Sequence, residues 1–218
     1  KKIPNFFNYK KVVMYNYVDE FNYDLKINNN HKQIIKKLKK KYIILFVSNI
    51  HERKKPIVFL KILRYLIRKN NSYIGIMFFN SSSEQKKVLN HFIIKNKMEK
   101  NLILMSNYPT HYWIPFMKSL KKKVLLATSK NEPLGRNLIE AVLNKIFVIA
   151  NNSGGHKEII NKKYGILTKT DNINATGNKI INYFKIKSMN KNYENLDMKI
   201  FQNKFQNKNF FTKLQKIY

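Results

Sequence analysis

What most constrains this chain is the alternation of short, wholly apolar runs with longer amphipathic ones. Val124-Leu125-Leu126-Ala127-Thr128 is an apolar run, Asn137 to Leu143 is amphipathic, and Ile146-Phe147-Val148-Ile149-Ala150 is apolar again. A strand that lacks polar–apolar alternation is buried on both faces, as in parallel sheets covered by helices. Such a strand–helix–strand unit makes a parallel pair, and ligands of these sheets sit at the carboxyl ends of the strands. The same alternation runs upstream. Tyr42–Val47, Tyr73–Phe79 and Leu102–Met105 read as strands. Between them, Ile57, Leu60, Leu63 and Ile67 repeat at helical spacing, with Pro56 suited to the first turn. A second helix passes through Val88, Leu89, Phe92 and Ile93 behind an N-cap offered by Ser81-Ser82-Ser83-Glu84. The fold class is α/β, a parallel sheet flanked by helices.

The chemistry gathers in the loop Glu132-Pro133-Leu134-Gly135-Arg136-Asn137 and the helix behind it, which carries Glu140. Gly135 lets the backbone come close to a ligand, and the helix start offers free N–H groups and a positive dipole end. Carboxylates accept hydrogen bonds from sugar or ribose hydroxyls, and N–H groups donate to phosphate. Both beside one loop point to a sugar nucleotide. A second turn, Ser153-Gly154-Gly155, precedes another helix start at His156–Ile160. Glycines there serve a tight turn in any case, and the N–H groups behind them are candidates to face donor sugar or phosphate.

These motifs carry a family resemblance. Glu132-x7-Glu140, followed by Asn152-Ser153-Gly154-Gly155-His156-Lys157-Glu158-Ile159-Ile160, resembles the donor-site signature of retaining GT-B glycosyltransferases, family 4 (glycosyl transferases group 1). The resemblance covers roughly residues 12–218 and is strongest over 124–167. It implies the second, Rossmann-like half of a GT-B fold, with a nucleotide-sugar donor as substrate, no further cofactor, and a glycan or lipid-linked glycan as acceptor. It implies that Glu132 contacts the donor sugar and Glu140 the ribose hydroxyls. Leu134, Gly135, Arg136 and Asn137, with Gly154 and Gly155, would line the donor. Ser48 to Pro56 resembles the family's strand–loop–helix, with Arg53 and Lys54 at its basic pair, so Arg53, Lys54 and Glu132 are the catalytic candidates. Asn49 stands where the family often has Arg, and Ser48 and Lys55 where it often has Gly. Val12-Val13-Met14-Tyr15-Asn16-Tyr17-Val18-Asp19 resembles the inter-domain linker, with Tyr17 in place of Gly. Tyr164-Gly165-Ile166-Leu167 resembles the strand that follows the donor site. The aromatic loop Ser106 to Trp113 lies where the family seats the base, and its rings suit stacking or packing equally. On this resemblance residues 1–40 are linker and remnant of a first domain, 41–185 the nucleotide-sugar-binding domain, and 186–218 a polar segment and closing helix. A chain of 218 residues that starts at Lys1 fits a partial enzyme, inactive alone, with its acceptor half elsewhere.

Composition adds alternatives. The formal charge of +31 suits nucleic acid or an anionic membrane surface. Its even spread with Asn, Ile, Phe and Tyr also fits drift toward AT-rich codons. A basic nucleic-acid-binding module is the rival reading, although carboxylates at the ligand mouth repel phosphate; a decayed, inactive remnant is the third. There is no Cys, hence no disulfide framework or thiolate metal site. No Asp-x-Asp pair appears and the five His lack metal-ligand spacing, which fits the metal-independent chemistry that the GT-B resemblance implies. His51 and His156 are read as loop histidines near the site, either donor contacts or simply exposed. The expected location is cytoplasmic, with peripheral contact at the inner face of a membrane as an option.

Overall fold

The computed structural model describes residues 29–107, 113–189 and 199–205. Six strands make one sheet: β1 (Tyr42–Val47), β2 (Tyr73–Phe79), β3 (Leu102–Ser106), β4 (Lys123–Ala127), β5 (Val148–Asn151) and β6 (Gly165–Thr168). Their order is β3-β2-β1-β4-β5-β6, and every neighbouring pair is parallel. The chain winds outward from β1 to one edge, then returns to start again at β4. Loops leaving β1 and β4 therefore diverge to opposite sides and open a crevice between them.

Eight helices pack on this sheet among the described residues: α1 (Asn29–Lys37), α2 (Pro56–Lys69), α3 (Ser83–Lys95), α4 (Trp113–Lys118), α5 (Arg136–Leu143), α6 (His156–Ile159), α7 (Ile173–Met189) and α8 (Lys199–Phe205). The strands feed two cores by alternation. Ile43, Leu45, Leu125, Val148 and Ala150 face one layer, which holds Trp113, Leu138, Ile139 and Ile159. Ile44, Phe46, Val124, Leu126 and Ile149 face the other, with Leu60, Leu63, Leu89 and Ile180. The apolar runs lack alternation because both faces of each strand are dry. None of the described helices is long and apolar enough to cross a membrane.

Local signals act as expected. Ser82 caps α3 in a reciprocal capping box with Gln85. Pro56 opens α2 directly after Lys55, whose backbone is left-handed at φ 53°. Helix α1 has no buried residue, yet its Ile34 and Ile35 pack against the core and His31 lies edge-on to Phe116. One expectation needs correction: within the polar segment that begins at 186, α7 continues to Met189 and α8 buries Phe201 and Phe205. Phe201 meets the ring of Tyr164 edge-on at 4.9 Å. Two aromatics four apart among Lys and Asn make a narrow apolar stripe, too short to register as a periodic helix. The linker signature at 12–19, most of the aromatic loop (108–112) and the closing helix at 210–218 lie outside the described residues.

Candidate functional site

Three loops leave the carboxyl ends of β1, β4 and β5, and their backbones are bound together. After β1 the chain makes a 3-10 turn, Glu52–Lys54, capped by His51, whose Nδ1 accepts from the Arg53 N–H. The hydroxyl of Thr128, just past β4, donates to the carbonyls of Lys54 at 2.7 Å and Lys55 at 3.1 Å. The N–H of Lys130 donates to the carbonyl of Arg53 at 2.9 Å. Asn137, in the first turn of α5, donates its side-chain amide to the carbonyl of Val47 at 2.7 Å. These contacts anchor the β1 loop against the β4 loop across the crevice.

The β5 loop is held just as closely. The N–H of Asn131 donates to Ser153 Oγ at 3.1 Å, and that of Gly155 to the Glu132 carbonyl at 2.7 Å. A Cβ on Gly155 would overlap the Pro133 carbonyl oxygen, and one on Gly154 (φ 57°) the Glu132 carbonyl oxygen. Backbone thus lies on backbone, and only glycine allows it. This refines the expectation for the 153–155 turn. Its glycines are explained by the Glu132–Pro133 backbone, and the Gly155 N–H is already used there.

On this frame Lys54 Nζ meets Glu132 Oε2 at 2.6 Å, with side chains only 19% and 12% exposed. Lys54 is Glu132's only side-chain partner among the described residues. Arg53 is exposed beside them. Glu132 is followed by Leu134, which packs on the core, and by Gly135, the N-cap of α5 at φ 89°. The backbone N–H groups of Gly135, Arg136 and Asn137 donate to nothing among the described residues. A helix start of this kind is a ready site for an anion.

Glu140 stands one turn further along α5. Its bonds run to Arg136, Nε to Oε1 at 3.4 Å, and to the Trp113 side chain, not to the Lys54–Glu132 pair. Burial dominates its chemistry: with 14% of the side chain exposed, its pKa is raised from 4.5 to about 7, although the Arg136 charge and the bonds from Trp113 and Arg136 pull the other way. The structure therefore brings Lys54, Glu132, Gly135, Asn137 and the 154–155 turn together, and places Glu140 in an adjoining niche beside Trp113, where the aromatic loop ends.

His51 is exposed, as its loop position suggested. His156 is not: it is fully buried at the start of α6. Its Nδ1 lies 3.0 Å from the Asn151 carbonyl, which can only accept, so Nδ1 carries the proton. Burial lowers its pKa, and its Nε2 has no partner among the described residues. A Cβ on Gly135 would lie 3.2 Å from the ring, so His156 forms the floor beneath the α5 start. Thr128 and Asn151 escaped the sequence reading. Asn151 donates to the Ser129 carbonyl and accepts from the Thr170 N–H. The available signal was a polar residue closing each apolar strand. Among the described residues no group of three His, Asp or Glu could hold a metal ion.

A parallel sheet of this order, with a basic and acidic loop pair and an open helix start at its reversal point, defines a Rossmann-like ligand-binding domain. The sequence model of the glycosyl transferases group 1 matches residues 27–198, and the chain belongs to that family. Solved GT-B glycosyltransferases share the fold. HepE of Anabaena, crystallised with UDP and glucose, is 17% identical with a TM-score of 0.77 over 94% of this chain and 55% of its own. A glycosyltransferase of Rickettsia africae is 21% identical with a TM-score of 0.77 over 95% and 56%. TarM of S. aureus, crystallised as a mutant with UDP, fondaparinux and alpha-GlcNAc-glycerol, is 19% identical with a TM-score of 0.70 over 82% and 36%. The chain thus spans about half, or less, of the length of these structures. A search of the curated proteins returned no match.

Proposed function

We propose that this chain is the donor-binding domain of a retaining family 4 glycosyltransferase, which moves a sugar from a nucleotide donor to a glycan or lipid-linked glycan without a metal ion. The observation that carries the reading is the Lys54–Glu132 pair beside the α5 N–H groups that have no partner among the described residues, at the reversal point of the sheet. The UDP held by HepE and TarM supports a nucleoside diphosphate as the ligand class. The order of Glu132, Glu140 and the 153–155 turn supports family 4 and retention.

In this reading the diphosphate rests on the N–H groups of Gly135, Arg136 and Asn137, with Arg53 and Lys54 beside it. Negative charge grows on the diphosphate as the glycosidic bond breaks. Fixed cations and N–H dipoles aimed there lower the barrier, at roughly 3–4 kcal/mol per well-placed donor. Glu132 accepts from hydroxyls of the sugar and Glu140 from those of the ribose. The high positive charge is compatible with a cytoplasmic enzyme seated peripherally on anionic lipid.

Titration calorimetry of the 218-residue chain with UDP, GDP and ADP tests the proposal. At least one should bind, and Lys54→Gln should weaken it by about 10- to 100-fold, as for the loss of one charged hydrogen bond. Failure of all three to bind, with tight and salt-sensitive binding of a short oligonucleotide instead, would sink it in favour of a nucleic-acid module.

A further inference from the structure

The Lys54–Glu132 ion pair joins two groups that the donor reading assigns to different parts of one ligand. Resting on that reading, the geometry points to Glu132 as the residue by which the site discriminates between a nucleoside diphosphate that carries a sugar and one that has lost it.

Both backbones are fixed. The carbonyls of Arg53, Lys54 and Lys55 accept from Lys130 and Thr128, and the Glu132 carbonyl accepts from Gly155. The two side chains can therefore rearrange without moving either backbone. Without ligand they neutralise each other at 2.6 Å, and each is largely shielded from water. A diphosphate on the α5 start draws the Lys54 ammonium to itself. That strips Glu132 of its one side-chain partner among the described residues and leaves a carboxylate, 12% exposed, beside a newly arrived anion. An unpaired buried charge facing a like charge is unfavourable. A sugar on the terminal phosphate changes this outcome, because its hydroxyls donate to the carboxylate that Lys54 has left. Sugar-carrying donor is therefore accepted at little electrostatic cost, whereas the sugarless product is pushed out.

The test is a change of sign. UDP, GDP and ADP are titrated into the parent chain and Glu132→Gln, each alone and as its glucose conjugate. For the nucleotide that binds, Glu132→Gln is expected to tighten the sugarless form about tenfold, because repulsion is lost and Lys54 is released, and to weaken or leave unchanged the sugar-linked form. In Lys54→Gln/Glu132→Gln part of that gain should vanish. Glu132→Ala removes the same charge with less bulk and repeats the test if the amide variant folds poorly. Sugarless affinity that is unchanged or weaker in the charge-free variants overturns the proposal while leaving the donor site standing. Absence of binding by every nucleotide to the parent removes the donor site and this inference with it.

Discussion

Glu140 offers a prediction whose size follows from its burial. Moving its pKa from 4.5 to about 7 means that folding penalises the ionised carboxylate by at most about 3 kcal/mol. The folded state holds its proton to higher pH than the unfolded chain does, so this group's contribution falls as pH rises. The penalty is absent below about pH 4.5, grows between there and about pH 7, and is complete above. Glu140→Gln removes the titration yet keeps an oxygen to accept from Trp113. Urea unfolding of parent and variant at intervals from pH 5 to 8 isolates the effect as a difference, since all other carboxylates cancel. The variant should gain on the parent with rising pH, by about 2–3 kcal/mol between pH 5 and pH 8, a figure that already includes the opposing pull of Arg136. Nucleotide binding should move oppositely. An ionised acceptor holds ribose hydroxyls better than a neutral one by ~1–2 kcal/mol. Parent affinity should therefore rise through pH 7, while the variant stays flat and falls about tenfold below the parent at pH 8. Parallel stability profiles for the two proteins would show that Glu140 is not held protonated by burial, and the reasoning would fail.

Gly155→Ala should weaken nucleotide binding sharply and lower stability by ~1–3 kcal/mol, because its Cβ overlaps the Pro133 carbonyl and separates two packed loops; calorimetry and thermal unfolding read both. Thr128→Val should cost about 1 kcal/mol in urea unfolding and reduce affinity further, since the hydroxyl that holds the Lys54 and Lys55 carbonyls is gone. Phe205→Ala should cost ~3–5 kcal/mol if α8 belongs to the core as its 1% exposure indicates, and a loss under 1 kcal/mol would show that the helix is not docked.

The layered architecture was legible in the chain because it rests on local rules. Unbroken apolar runs mark doubly buried parallel strands, helical spacing marks α2, α3 and α5, and Pro56 and Ser82 mark two helix starts. Five of the six strands followed from these signals and β6 from the family resemblance at 164–167, with β5 displaced by two residues because the Ile146 N–H still bonds to the Ala141 carbonyl at the end of α5. The residues Glu132, Gly135, Glu140 and the 153–155 turn stood out because their types and spacing already state a chemistry.

Only the tertiary structure decided what those residues do to one another. Lys54 and Glu132 are 78 positions apart, and no rule of spacing says that they neutralise each other; strand order brings them together by setting β1 beside β4. The roles of Thr128 and Asn151 are equally non-local, since each bonds carbonyls of a neighbouring loop. His156 shows the limit most plainly. Its sequence context reads as a loop, but Gly135 lies above its ring and the Asn151 carbonyl accepts from Nδ1. Burial of a side chain depends on which distant backbone arrives to cover it, and hence on how the loops pack at the end of the sheet.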